Sequence, residues 1–245
     1  MTAADGAILA ATGIGKRFDA LVVLDAVELA MRPDEAIGIV GPNGAGKTTL
    51  LNVLSGAMKP NQGRVTFKGS DVTELPAASR CRLGLGRTHQ IPRPFLGMTV
   101  FENALVAAAH GAGLPRDEAY DQAVSALELS GMMRVANHQA ASLGLLDRKR
   151  LELARALAAR PNLLLLDEIG GGLTDAEANE LVGMIKELRR RNIAIIWIEH
   201  IVHILVQVAD RLICMDAGKI IADGTPDAVL ADPQVIRAYL GGEVA

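Results

Sequence analysis

Aromatic side chains are scarce, 3% of the 245 residues, while half of all residues are hydrophobic. A sizeable core can therefore be buried, and it must be aliphatic. Cysteine is limited to Cys81 and Cys214. They lie far apart, in no metal-ligand spacing, which excludes a disulfide framework and points to idle thiols in a reducing compartment. Basic charge is not in surplus: 25 Lys and Arg face 28 Asp and Glu, a formal net charge of -3. Nothing in that balance suggests the basic patch expected of a nucleic-acid-binding surface. No run approaches the roughly 18 apolar residues of a membrane span; Leu163 to Leu166 is far too short. The segment Met1 to Ala11 carries acidic Asp5 and no basic n-region, so no secretory signal is expected there. The expectation is a soluble, cytosolic chain whose membrane role, if any, comes through a partner.

What is present is an alternation of strands and helices without repeats or a low-complexity linker. Thr12 to Leu29 reads as strand-rich, Ala36 to Val40 as a strand running into glycines, and Thr48 to Leu54 as a helix. Gly63 to Phe67 reads as a strand after the turn at Lys59 to Gly63. The middle third is rich in alanine and leucine at helical spacing over Val100 to Ala109, Arg116 to Leu129 and Arg148 to Ala159. The last third alternates again: strands at Asn162 to Leu166, Ile193 to Ile198, Leu212 to Met215 and Lys219 to Ala222, and helices at Asp175 to Arg191 and Ile201 to Val208. Continuous apolar strands alternating with helices predict a mostly parallel sheet covered on both faces. The middle helices form an insertion into it.

The segment Gly41-Pro42-Asn43-Gly44-Ala45-Gly46-Lys47-Thr48 fits G-x-x-x-x-G-K-[ST] between a strand and a helix, the context that motif requires. Glycines let backbone N–H groups curl around a phosphate chain, and the following helix N-terminus adds favourable partial charge. Lys47 supplies a positive charge to the terminal phosphates, and the Thr48 hydroxyl can ligate Mg2+. Asp167 and Glu168 end the strand that begins near Leu163. Carboxylates there lie beside a ligand at the sheet edge. Asp167 suits Mg2+, directly or through water, and Glu168 suits orienting and deprotonating an attacking water.

In this order, the motifs resemble the ABC ATPase family over nearly the whole chain. Gly41 to Thr49 resembles the Walker A motif, and Leu163 to Glu168 resembles Walker B. The resemblance implies ATP and Mg2+ as cofactors, with Phe18 on the adenine, Thr49 in the ATP site and Gln90 as the Q-loop residue sensing Mg2+ and the γ-phosphate. His200 corresponds to the switch histidine. The implied fold is α/β: a RecA-like mostly parallel sheet, an N-terminal antiparallel part, and an α-helical subdomain inserted at approximately 91 to 160, all within one ABC ATPase domain over 1 to 245.

One motif departs from the family. The basic helix at Arg150 to Leu157 fits the segment after an LSGGQ signature, but the signature positions are Leu143-Gly144-Leu145-Leu146-Asp147. Leucines stand for the glycine pair and Asp147 for the glutamine. Asp147 is expected to N-cap the basic helix instead. Thr174 stands where the family has aspartate, and Ile169 where it has proline.

Within the family the chain is most similar to ATPases of branched-chain or hydrophobic amino-acid importers. Arg87-Thr88-His89-Gln90, Met98 to Asn103, Trp197 to His200 and Asp232 to Gly241 carry that similarity. It implies an importer subunit acting with a second ATPase, two membrane permease subunits and a solute-binding protein, peripheral on the inner face of the cell membrane. The degenerate signature favours a heterodimer, with a homodimer as the alternative. Other readings are an importer for an amide, urea or organic acid, a soluble ABC ATPase acting on DNA or the ribosome, and a P-loop kinase or GTPase. The second would usually bring a coiled-coil insertion or tandem cassettes, and the third would lack the Gln90, signature-helix and His200 series.

Overall fold

The computed structural model describes residues 6–240. Asp5 and Gly241, which entered the readings above, lie outside the described residues. In chain order the strands are β1 (Leu9–Phe18), β2 (Leu21–Met31), β3 (Ala36–Val40), β4 (Gln62–Phe67), β5 (Ser70–Asp71), β6 (Leu85–Arg87), β7 (Leu163–Asp167), β8 (Ala194–Ile198), β9 (Arg211–Asp216) and β10 (Lys219–Gly224). The helices are α1 (Lys47–Ser55), α2 (Ala77–Arg82), α3 (Val100–Val106), α4 (Arg116–Leu129), α5 (Leu145–Ala158), α6 (Asp175–Arg190), α7 (Val202–Leu205), α8 (Pro226–Leu230) and α9 (Pro233–Leu240).

A six-stranded sheet runs in the order β10-β9-β3-β8-β7-β6. Its pairs are parallel except β10 on β9. An antiparallel sheet, β2-β1-β4-β5, lies beside it. Side chains of the parallel strands alternate between two aliphatic cores. Leu164, Leu166, Ile195 and Trp197 face the helices α3 to α6, whereas Leu163, Leu165, Ile196 and Ile198 face α1 and the antiparallel sheet. Both faces are covered, which is why β7 and β8 are apolar at every interior position rather than at alternate ones. Between β6 and β7 the chain contributes α3, α4 and α5 and no strand of either sheet.

Several local elements differ from the sequence expectation. The helix expected from Arg148 begins three residues earlier, at Leu145, with Gly144 as N-cap. Asp147 is therefore not the N-cap but lies inside the first turn, where a carboxylate is also favourable because of the helix dipole; its Oδ1 faces Arg134 at 3.5 Å and Arg150 at 3.8 Å. The helix expected over Val100 to Ala109 becomes α3 followed by a π-helical turn, Ala107–Gly111. The run Ile201 to Val208 yields only the short α7. Helix α2 was not expected. Its Arg80 is fully buried and donates to the carbonyls of Val53, Leu54, Thr73 and Leu75, tying down the C-terminal end of α1. Thr174 N-caps α6 in a reciprocal capping box with Glu177, so the residue that departs from the family aspartate still starts a helix. Among the described residues no helix is long and apolar enough to cross a membrane.

Candidate functional site

Four parallel strands, β3, β6, β7 and β8, end at one edge, and each delivers part of the site. After β3 the chain curls through Gly41 to Gly46 into α1. Gly41 has φ 143°, and a Cβ there would meet the Met215 carbonyl at 2.1 Å, so only glycine fits this exit from the strand. The Lys47 ammonium donates to the carbonyls of Gly41 (2.8 Å) and Pro42 (3.0 Å). Burial lowers its pKa, opposed by the charges of Glu168 and Asp167. A cavity of about 200 Å³ is lined by Val23, Asn43 to Thr49 and Glu168. It contains the loop amides, Lys47, the Thr48 hydroxyl and one carboxylate, the set a nucleoside triphosphate requires. A larger cleft between α4, α5 and α6, about 620 Å³, is lined by Glu128, Arg150, Glu180 and Glu187 and lacks a phosphate-binding loop.

From β7 come Asp167 and Glu168. Asp167 is buried, and its Oδ2 accepts from Arg87 Nη2 at 2.9 Å. Burial nevertheless raises the Asp167 pKa, with Arg87 opposing. Its other oxygen, Oδ1, is buried and has no hydrogen-bond partner. A buried carboxylate with one free oxygen and incomplete charge compensation is a good ligand for a divalent cation. Together with the Thr48 hydroxyl, it fits a Mg2+ ion.

Glu168 is where the distant sequence signals meet. Gln90 Nε2 donates to Glu168 Oε2, and His200 Nε2 lies 2.8 Å from Oε1. The structure thus brings together residues 78 and 32 positions away from Glu168 in the chain. Gln90 points at Glu168 in this geometry. Phe18 is 45% exposed at the end of β1, with Lys16 Nζ 5.3 Å from its ring centroid. Around the signature positions, Gly144 and Leu145 are exposed and no side chain caps the amides at the start of α5.

Sequence reasoning gave no role to several residues of this edge. Arg87 links Asp167 to Asn52 and Ser55 of α1. The Tyr239 hydroxyl, on α9, accepts from the Gly41 N–H at 2.8 Å. Cys214 lies buried under the loop, and burial raises its thiol to about 11. At pH 8 only about one such thiol in a thousand is a thiolate. Disulfide-exchange reagents should therefore label Cys214 slowly in the native chain and rapidly after denaturation. Fast native labelling, located by peptide mapping, would contradict the buried placement.

A phosphate loop, a strand-end pair of carboxylates and a parallel sheet define a P-loop nucleoside triphosphatase. The chain is an ATPase of the ABC transporter family. The family profile described as ABC transporter matches residues 24–170, and a second, described as branched-chain amino acid ATP-binding cassette transporter, matches residues 219–245. The high-affinity branched-chain amino acid transport ATP-binding protein LivG of Salmonella typhimurium is 39% identical, with 96% of this chain and 98% of LivG aligned. The lipopolysaccharide export system ATP-binding protein LptB of Haemophilus influenzae is 33% identical over 96% of this chain and 97% of its own length. The crystal structure of the ADP conformation of MJ1267, an ATP-binding cassette of an ABC transporter, superposes with a TM-score of 0.85 at 30% identity, covering 96% and 99% of the two chains.

Proposed function

We propose that this chain hydrolyses ATP to energise an importer of branched-chain or other hydrophobic amino acids or related small solutes. The observation that carries the ATPase mechanism is the contact of Gln90 and His200 with Glu168 at the mouth of the phosphate loop. The similarity to LivG and the matched C-terminal segment support the choice of solute.

The residues divide the work as follows. Backbone amides from Gly41 to Thr49 and the Lys47 ammonium hold the phosphates. When ATP arrives, Lys47 exchanges its loop carbonyls for phosphate oxygens, a stronger, charge-assisted pairing. Phe18 offers its exposed face to the adenine. Thr48 and Asp167 would hold Mg2+, which supplies neutralisation of the charge that develops on the phosphates; Gln90 reaches the same region from the loop after β6. Glu168 accepts the proton of the attacking water. His200 and Gln90 hold its carboxylate in place from two sides, so either can report the state of the site to the rest of the chain.

The proposed assembly is a head-to-tail pair of ATPase subunits on two membrane permease subunits, served by a solute-binding protein and peripheral to the inner face of the membrane. Leu143 to Asp147 would contribute to the partner's site. Docking to the permease is assigned to the segment after Gln90. There Ile91, Phe95, Leu96 and Met98 are 73%, 44%, 53% and 36% exposed. The backbone beneath is braced: buried Asn103 accepts from the Phe95 N–H and donates to the carbonyls of Phe95 and Thr99. A rigid backbone presenting an apolar patch suits a partner helix.

Phe95→Asp should leave ATP binding by the isolated subunit unchanged and prevent co-purification with the permease subunits. A complex that survives this substitution with normal transport would return the patch to a merely internal packing role. For the solute, the chain is assembled with candidate permease and solute-binding proteins of the same source. Uptake of leucine, isoleucine and valine into vesicles carrying the complex is the expected result, and saturable uptake only of an amide, urea or an organic acid would replace the solute assignment.

A further inference from the structure

The loop that carries Glu168 has little stiffness of its own. Glu168 has φ 48°, a left-handed conformation unfavourable for a residue with a side chain. It is followed by Ile169 and then by Gly170, Gly171 and Gly172. Glycines leave the backbone many alternatives, and proline, which would restrict them, is absent. The conformation must be imposed by neighbours.

Besides the backbone bonds from Glu168 N–H to the Ile198 carbonyl at 2.9 Å and from Leu173 N–H to the Gly170 carbonyl at 3.2 Å, two buried charged side chains contact the loop. On one side is Lys149 of α5, 7% exposed. Its ammonium donates to three carbonyls of the loop: Ile169 at 3.0 Å, Gly171 at 2.6 Å and Glu168 itself at 3.4 Å. A lysine ammonium has three N–H donors, matching the three carbonyls within this one turn. On the other side is Glu199, 1% exposed, the residue before His200. Its Oε1 accepts from the Gly170 N–H and from the Trp197 indole N–H. A Cβ on Gly170 would lie 2.9 Å from Glu199 Oε1 and from Ile204 Cδ1, so the loop is pressed against this carboxylate. Burial lowers the Lys149 pKa, and the charges of Glu199 and Glu168 oppose that shift. The amine thus stays close to groups that favour its charged, fully donating form.

We propose that Lys149 is a positioning residue for Glu168: by binding the carbonyls of residues 168, 169 and 171 it holds the catalytic loop in the left-handed turn that places the Glu168 carboxylate between Gln90 and His200. The proposal rests on Glu168 being the general base. Lys149 stands two residues after Asp147 on α5, so the segment offered to the partner's site and the loop serving this chain's own site are joined by one side chain.

The test uses the assembled transporter, with Glu168→Gln measured alongside. Lys149→Met should lower kcat by about tenfold to a hundredfold, the range for a small misplacement of a reacting group, with KM for ATP within twofold and an unchanged affinity for a fluorescent ATP analogue. Lys149→Arg should recover most of the lost rate. In the Glu168→Gln background, Lys149→Met should produce no further loss in single-turnover hydrolysis, because the group it positions is already gone. If Lys149→Met does not give a folded complex by thermal denaturation, Lys149→Gln, which keeps an amide donor, is measured in the same way. An unchanged kcat, or an equal loss with and without Glu168, overturns the proposal and leaves the general-base assignment intact. That assignment fails separately if Glu168→Gln alone retains normal turnover.

Discussion

Replacing Glu168 by glutamine in the full complex should leave ATP binding intact and lower steady-state turnover by about 10² to 10⁴, the usual contribution of a positioned base. That range corresponds to about 3 to 5 kcal/mol of barrier. The substitution preserves the size of the side chain, and the amide can still contact Gln90 and His200, which lie on its two oxygens. It removes only the ability to accept the water's proton. The loop amides and Lys47 are untouched, so a fluorescent ATP analogue should bind as before. Lys47→Ala is the complementary change. It leaves the base in place but removes the buried ammonium beside Gly41 and Pro42, and it should weaken binding itself. Measured together, the two variants separate binding from chemistry: one should raise KM, the other should lower kcat. Normal turnover by Glu168→Gln would remove Glu168 from the base role.

The second large effect concerns asymmetry between two sites. In the head-to-tail pair, Leu143 to Asp147 would complete the partner's site. Leu145 is 51% exposed, and in such a pair its side chain, with that of Leu146, would stand between the partner's phosphate and the backbone. Asp147 adds a negative charge, though Arg134 and Arg150 lie against it. This chain should therefore donate poorly to its partner while keeping a full set of its own. With a partner bearing an intact signature, hydrolysis by the complex should fall by about 10² or more with Glu168→Gln and persist when only the partner's catalytic glutamate is changed. Equal losses would show instead that the uncapped amides at the start of α5 suffice whatever side chains surround them.

The parts of the site that could be read from the sequence are those whose chemistry is local. The phosphate loop needs glycines and Lys47 within a few residues, and β3 and α1 on either side are signalled by apolar runs; the strand ending in Asp167 and Glu168 is equally compact. Gln90 and His200 are single residues, and only the family resemblance singled them out. Their convergence on Glu168 depends on how β6, β7 and β8 pair, which no local pattern states. Arg87, Lys149 and Glu199 escaped for the same reason: each satisfies groups remote in sequence. The start of α5 was misplaced because aspartate is favoured both as N-cap and within the first turn, so Asp147 alone could not fix the boundary. Helix α2 is short and is held by Arg80 through carbonyls of other segments, a tertiary cause with no periodic signature.

The most direct measurement is ATP-driven uptake by the complex in proteoliposomes, with this chain facing the ATP. The prediction is that a branched-chain amino acid accumulates only with Mg-ATP on the cassette side and with the binding protein on the other. Accumulation should be abolished by Glu168→Gln while the complex remains assembled. Full uptake by the Glu168→Gln complex, or ATP hydrolysis by this chain that never depends on the permease subunits, would contradict the account.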